Sequence, residues 1–195
     1  LTRDPQILAK KLDFPRAHRK TREDIAYWII DHPEYFPDLL DFCFKTELKI
    51  SHKAAWVLEI VCEEQMDLLL PHLDGFFENI PKVKKDQAVR PLAKICLMLA
   101  KKYYKKKDQK VVKTLTNKHK EIMTECCFDW LITDQKVACE AYSMYVLYLL
   151  GSEIDWIHPE LKTIIEQNMN QKSAGYRAQG RKIIGRIMKD KPIEK

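Results

Sequence analysis

The residues in this chain that could do chemistry are six histidines, six cysteines and a dense band of lysines. The histidines are His18, His32, His52, His72, His119 and His158; no two form H-E-x-x-H, and none joins a cysteine at zinc-ligand spacing. The cysteines, Cys43, Cys62, Cys96, Cys126, Cys127 and Cys139, make no C-x-x-C pair. All lie in apolar helical stretches, the pattern of reduced, buried thiols in a cytosolic protein. Cys126 and Cys127 are adjacent, so on a helix their side chains point about 100° apart and one faces the core. The motifs G-x-S-x-G, G-x-x-x-x-G-K-S/T and G-x-G-x-x-G are absent, so no acyl-transfer nucleophile and no phosphate-cradling loop is expected. No catalytic residue, metal or cofactor is assigned. His52 and Glu59 approach the same groove as Trp56, with packing the expected role for His52 ahead of metal or acid/base work.

The lysine band is the sharper signal. Fourteen basic and two acidic residues fall within 82–120. Arg90, Lys94, Lys101 and Lys105 lie within about 60° of one another at 3.6 residues per turn and make a basic stripe. Arg177 and Arg181, with Lys182 and Arg186, are expected to join it on one side of a curved array. Such a surface neutralises phosphates, with Trp56, Tyr103 and Tyr104 as stacking platforms, or pairs with an acidic protein, or simply solvates a helix. Lysine outnumbers arginine here, which favours solubility over base readout.

The net charge of +6 is banded along the chain: +5 over 1–22, −10 over 23–81, +12 over 82–120, −7 over 121–170 and +6 over 171–195. A composition that is 46% hydrophobic and 32% charged, with only 5 glycines, favours long helices over sheet. No apolar run approaches the roughly 20 residues that span a bilayer, and the opening residues carry no secretory-signal pattern. A cytoplasmic protein with no membrane contact is expected. Nothing in the sequence fixes the oligomeric state.

Elements that would position these residues follow from apolar periodicity and caps. A short helix is expected within 1–12, then helices at about 19–31, 33–45 and 51–63, the third capped by Ser51. Another runs from about 66 to 79, with Pro71 in its first turn or kinking it and Gly75 letting it pack closely or bend. A long helix at about 84–107 should kink at Pro91, whose ring removes a donor and crowds the preceding turn. Helices at 117–132 (Thr116 as cap), 137–150, about 155–168 and about 173–189 complete the chain.

The chain echoes itself at an offset of 87. Leu39 and Leu40 fall on Cys126 and Cys127, Lys49 on Lys136, Ile50 on Val137, Ala54 on Ala141 and Val57 on Met144. With one more residue in the turn, DLLLPHL (67–73) falls on DWIHPEL (155–161). At this register Trp56 meets Ser143. The offset equals two units of 43–44 residues, within the ~40–47 of HEAT and armadillo units. On these residues the chain resembles the HEAT/armadillo-like α-solenoids. That resemblance implies an all-α superhelix of about four helix pairs in one domain, 1–195: an N-terminal extension (1–18) and repeat segments 19–81, 82–132 and 133–190.

KISHKAAWVLE, VRPLAKIC, CFDWLI and DWIHPEL also resemble a group of short bacterial proteins that often carry the label adenylosuccinate lyase. That superfamily places its base with a mobile serine loop of the G-S-S-x-M-P-x-K-x-N-P type. Here the one Gly-Ser pair, Gly151–Ser152, is followed by Glu153 and Ile154. The expected function is a non-enzymatic scaffold binding a protein or peptide. The alternatives are a nucleic-acid-binding relative of HEAT-like DNA alkylation-repair proteins and, third, the lyase.

Overall fold

The computed structural model describes residues 4–16, 18–133 and 135–190, with residue 190 described by its backbone alone. Residues 1–3, 17, 134 and 191–195, which the expected segments include, lie outside the described residues. Eleven α-helices follow one another among them: α1 Pro5–Leu12, α2 Arg19–Asp31, α3 Phe36–Phe44, α4 Ser51–Glu64, α5 Leu73–Asn79, α6 Asp86–Lys101, α7 Gln109–Thr114, α8 Asn117–Ile132, α9 Val137–Leu150, α10 Ile157–Asn168 and α11 Ala174–Asp190.

They stack as an α-solenoid of two layers. The first helices of successive pairs, α1, α3, α5, α8 and α10, form layer A; the second, α2, α4, α6, α9 and α11, form layer B, where each touches the next in order. The count is five pairs, one more than the sequence suggests. The fifth comes from counting α1, which packs against α3. Asp4 caps it, Pro5 opens it, and Leu8 and Leu12 are fully buried. One continuous core runs through the stack from Leu8 to Ile187, as in arrays whose units bury their apolar faces only against neighbours.

Layer B is the better buried layer at its centre, since α4, α6 and α9 are covered on several sides. This is why α9 is apolar nearly all round: Met144, Val146, Leu147 and Leu150 are fully buried on different faces.

Burial corrects the register of the internal repeat. Between α3 and α8 the offset of 87 holds: Phe36, Leu39, Leu40 and Cys43 correspond to Met123, Cys126, Cys127 and Trp130, all buried. Between α4 and α9, Ser51 to Val137, it is 86, because the connection before α9 is a residue shorter. Trp56 therefore corresponds to Tyr142, not Ser143. The matched Lys49–Lys136 and Ile50–Val137 pairs straddle this deletion, which hides it from the sequence.

Local departures have local causes. The segment expected as a helix at 66–79 begins with two 3-10 turns, Met66–Leu68 and Leu70–His72, the second holding Pro71. Gly75 has open space where a Cβ would stand, so close packing does not explain it. Ser51 is the first residue of α4 and makes no side-chain cap, whereas Thr116 caps α8 by accepting from the His119 N–H. Helix α6 continues through Pro91 without a break. It ends in one π turn, Lys102–Lys106, closed by Lys107 in the left-handed conformation at φ 51° and by the Asp108 N–H donating to the Lys102 carbonyl. Asp108 then caps α7, a short helix inside the lysine-rich connection.

Candidate functional site

Layer B presents one exposed face across α2, α4, α6, α9 and α11, and it carries two adjoining depressions that share Tyr142. The first, about 290 Å³, is lined by Arg19, Arg22, Trp56, Glu59, Ile60, Glu63, Arg90 and Lys94. The second, about 370 Å³, is lined by Leu97, Lys101, Ala141, Tyr145, Gln179, Lys182 and Arg186.

The basic stripe is split by its surroundings. Arg90 donates to Glu59 at 2.8 Å, and Lys94 reaches both Glu59 and Glu63 at 3.0 Å. Two residues four apart on α4 thus meet two residues four apart on α6. Glu59 is buried, and Lys94 is held charged well into alkaline pH; burial works against its charge, and the hydrogen bonds from Glu59 and Glu63 outweigh that. These two cations are largely neutralised in place.

Lys101 and Lys105 are not. Both are exposed, as are Lys182 and Arg186, and among the described residues none of the four pairs with a carboxylate. Their neighbours are tyrosines. The Lys101 Nζ lies 5.4 Å from the Tyr145 ring centroid and the Lys105 Nζ 5.8 Å from that of Tyr148. The Arg186 guanidinium sits 4.8 Å from Tyr145 and 5.8 Å from Tyr148, and the two rings stack at 5.7 Å. Ring faces attract cations electrostatically and fix where they stand. The tyrosines escape a sequence reading because α9 looks like an all-apolar buried helix; the recoverable signal is Tyr142, Tyr145 and Tyr148 at three-residue spacing along one side.

Other expected contributors lie elsewhere. Arg177 donates to the Lys172 carbonyl at the start of α11, and Arg181 is exposed but does not line the face. Trp56 is half-buried: its N–H donates to the Gln87 carbonyl at 2.8 Å, Arg22 lies 5.6 Å from its ring, and His52 meets it edge-on at 4.9 Å. His52 is a packing partner, and burial, then Lys53 and Lys85, push its pKa down. Tyr103 and Tyr104 are no stacking platforms. The Tyr104 hydroxyl donates to Glu153 at 2.6 Å, and Tyr103 packs beneath Lys120, which itself donates to Glu153 at 2.6 Å.

Several other lysines of the band are held locally, while Lys106, Lys107, Lys113 and Lys118 are exposed. Lys102 pairs with Asp108, Lys110 with Asp67, and Lys85 donates to the Thr46 carbonyl. The Gly151–Ser152 pair is a tight corner between α9 and α10: the Ser152 hydroxyl donates to the Leu149 carbonyl, and a Cβ at Gly151 would meet the His158 ring at 2.1 Å. Among the described residues no group of three or more His, Cys, Asp or Glu could hold a metal ion, and no helix is long and apolar enough to cross a membrane.

No curated protein and no solved structure matches the chain. A family model does, that of the HEAT repeat domain, over residues 8–187, from the buried Leu8 of α1 to the buried Ile187 of α11. With five stacked helix pairs spanning the same residues, the chain belongs to the HEAT repeat family.

Proposed function

We propose that this HEAT-repeat chain is a non-enzymatic scaffold that binds an acidic segment of a partner protein along the exposed face of layer B. The carrying observation is the set Lys101, Lys105, Lys182 and Arg186, exposed, without carboxylate partners, and ranged beside Tyr145 and Tyr148. Carboxylates laid across α6, α9 and α11 would find several cations already in place, so little side-chain entropy is lost on binding. A field of one sign also speeds encounter with an oppositely charged chain.

Nucleic acid is the second reading, since the same cations could meet phosphates. Two features favour protein. The Tyr145 and Tyr148 rings already face Lys101, Lys105 and Arg186, which bases would displace before stacking. One arginine among four cations also leaves little bidentate base readout.

The test is fluorescence anisotropy with labelled octaglutamate at low salt, with duplex and single-stranded oligonucleotides of equal charge alongside. Octaglutamate should bind, weaken as salt rises, and bind about tenfold more weakly to Lys101→Glu/Arg186→Glu. Absence of octaglutamate binding would overturn the proposal, and tighter binding of either oligonucleotide would replace it with the second reading.

A further inference from the structure

The exposed face of layer B is unevenly available, and its own carboxylates make it so. In the α2–α4–α6 half, Glu59 and Glu63 stand where a partner's carboxylates would stand. They hold Arg90 and Lys94 at 2.8 to 3.0 Å. In the α6–α9–α11 half no carboxylate among the described residues lines the depression. The two halves meet at Tyr142, which borders both depressions.

Resting on the acidic-partner reading, we propose that Glu59 and Glu63 are built-in competitors that set the register and length of the acidic segment this face accepts. The segment seats its anionic groups over Lys101, Lys105, Lys182 and Arg186, and acidic residues beyond Tyr142 gain little because Glu59 and Glu63 hold Arg90 and Lys94 and Glu23 holds Arg19, which leaves Arg22, against the Trp56 ring, as the cation there without a carboxylate among the described residues. A partner whose acidic run is short, with neutral residues following it toward α4, therefore fits as well as one that is acidic throughout.

Glu63 is the residue to change. Its side chain is 47% exposed, against 10% for Glu59, so its charge can be removed with little effect on folding. With Gln at 63, Arg90 and Lys94 face the single carboxylate of Glu59, and one positive charge becomes free.

Labelled tetraglutamate and octaglutamate are compared on the full chain by anisotropy, with melting temperature as the check on folding. In the unsubstituted protein the two peptides should bind within about twofold of each other. In Glu63→Gln, octaglutamate should gain about two- to fivefold and depend more steeply on salt, while tetraglutamate changes less than twofold. Lys101→Gln should weaken both peptides. If the unsubstituted protein binds octaglutamate but Glu63→Gln brings no gain for it, the competitor role is overturned while the acidic-partner reading stands. The same holds if octaglutamate already binds the unsubstituted protein many-fold tighter than tetraglutamate. If neither peptide binds, the acidic-partner reading itself fails.

Discussion

The Trp56 indole N–H donates to the Gln87 carbonyl at 2.8 Å, and Gln87 stands four residues before Pro91. In an uninterrupted helix that carbonyl would accept the N–H of residue 91, and proline has none to give. The indole from α4 supplies the missing donor, so α6 passes through Pro91 while being tied to its neighbour in layer B.

This tie predicts a coupled pair of effects. Trp56→Phe should cost about 0.5 to 1.5 kcal/mol by leaving the carbonyl to solvent. Pro91→Ala should raise stability, by up to about 3 kcal/mol, because it restores the helical donor. In the Pro91→Ala background the cost of Trp56→Phe should shrink, since the carbonyl is then satisfied locally. Urea denaturation of the four members of this cycle measures the coupling; strictly additive effects would show that the indole bond is incidental.

The same pair shows what the sequence could and could not disclose. Helix positions were legible because α2 and α8 repeat apolar residues turn by turn, α9 is apolar along nearly its whole length, and Thr116 before α8 and Gly151 after α9 mark ends; residues 19–31, 117–132 and 137–150 are read at their observed bounds. Pro91 was legible as a defect but not its remedy, because the donor lies on another helix, 31 residues before the Gln87 carbonyl that it serves. Trp56 looked exceptional only because a one-residue deletion before α9 shifted the repeat register. For the site, the lysines were legible as a band, but their availability depends on partners from other pairs. Lys94 and Lys101 look alike in sequence, and only packing puts Glu59 beside one and Tyr145 beside the other.

Glu140 and Lys172 make an ion pair that joins the last two helix pairs, at 2.7 Å, with Glu140 2% exposed. Removing the cation strands a carboxylate away from water. Lys172→Met should therefore cost about 3 kcal/mol, whereas Glu140→Leu/Lys172→Met should cost less than that single change, because no charge is left unpaired. Chemical denaturation decides it: a double variant as destabilised as the sum of the two singles would show that the pair contributes only packing.

The corner at Glu153 should make stability fall in acid. Burial alone would push its carboxyl upward, but hydrogen bonds from Lys120 and Tyr104 outweigh burial and hold it below the ordinary glutamate range of about 4.3. A carboxyl depressed in the folded state contributes fully above its ordinary value, and that contribution is lost as pH falls through the depressed one. Below it, Lys120, 3% exposed, loses its counter-charge. Glu153→Gln should therefore melt at lower temperature than the unsubstituted chain at pH 7, and the gap should narrow below about pH 4. A gap that is constant from pH 7 to pH 3 would contradict the linkage.

The six thiols should report unfolding and nothing else. All are free and buried. Burial pushes Cys43, Cys126 and Cys139 up to about 12 and raises Cys62, Cys96 and Cys127 as well. Thiolate is the reactive form, so at pH 8 the folded protein holds almost none of it. A disulfide reagent such as 5,5′-dithiobis(2-nitrobenzoate) should label the native chain only as fast as it opens, and all six thiols promptly in denaturant. The first to react should be Cys126, which borders the cleft lined by Pro81, Val83 and Lys84. Its labelling should quicken with small additions of urea before Cys43 or Cys62 respond, because the edge of α8 opens at lower free energy than the centre of the stack. Prompt labelling of any thiol in the native protein would mean that its surroundings are more open than the packing described.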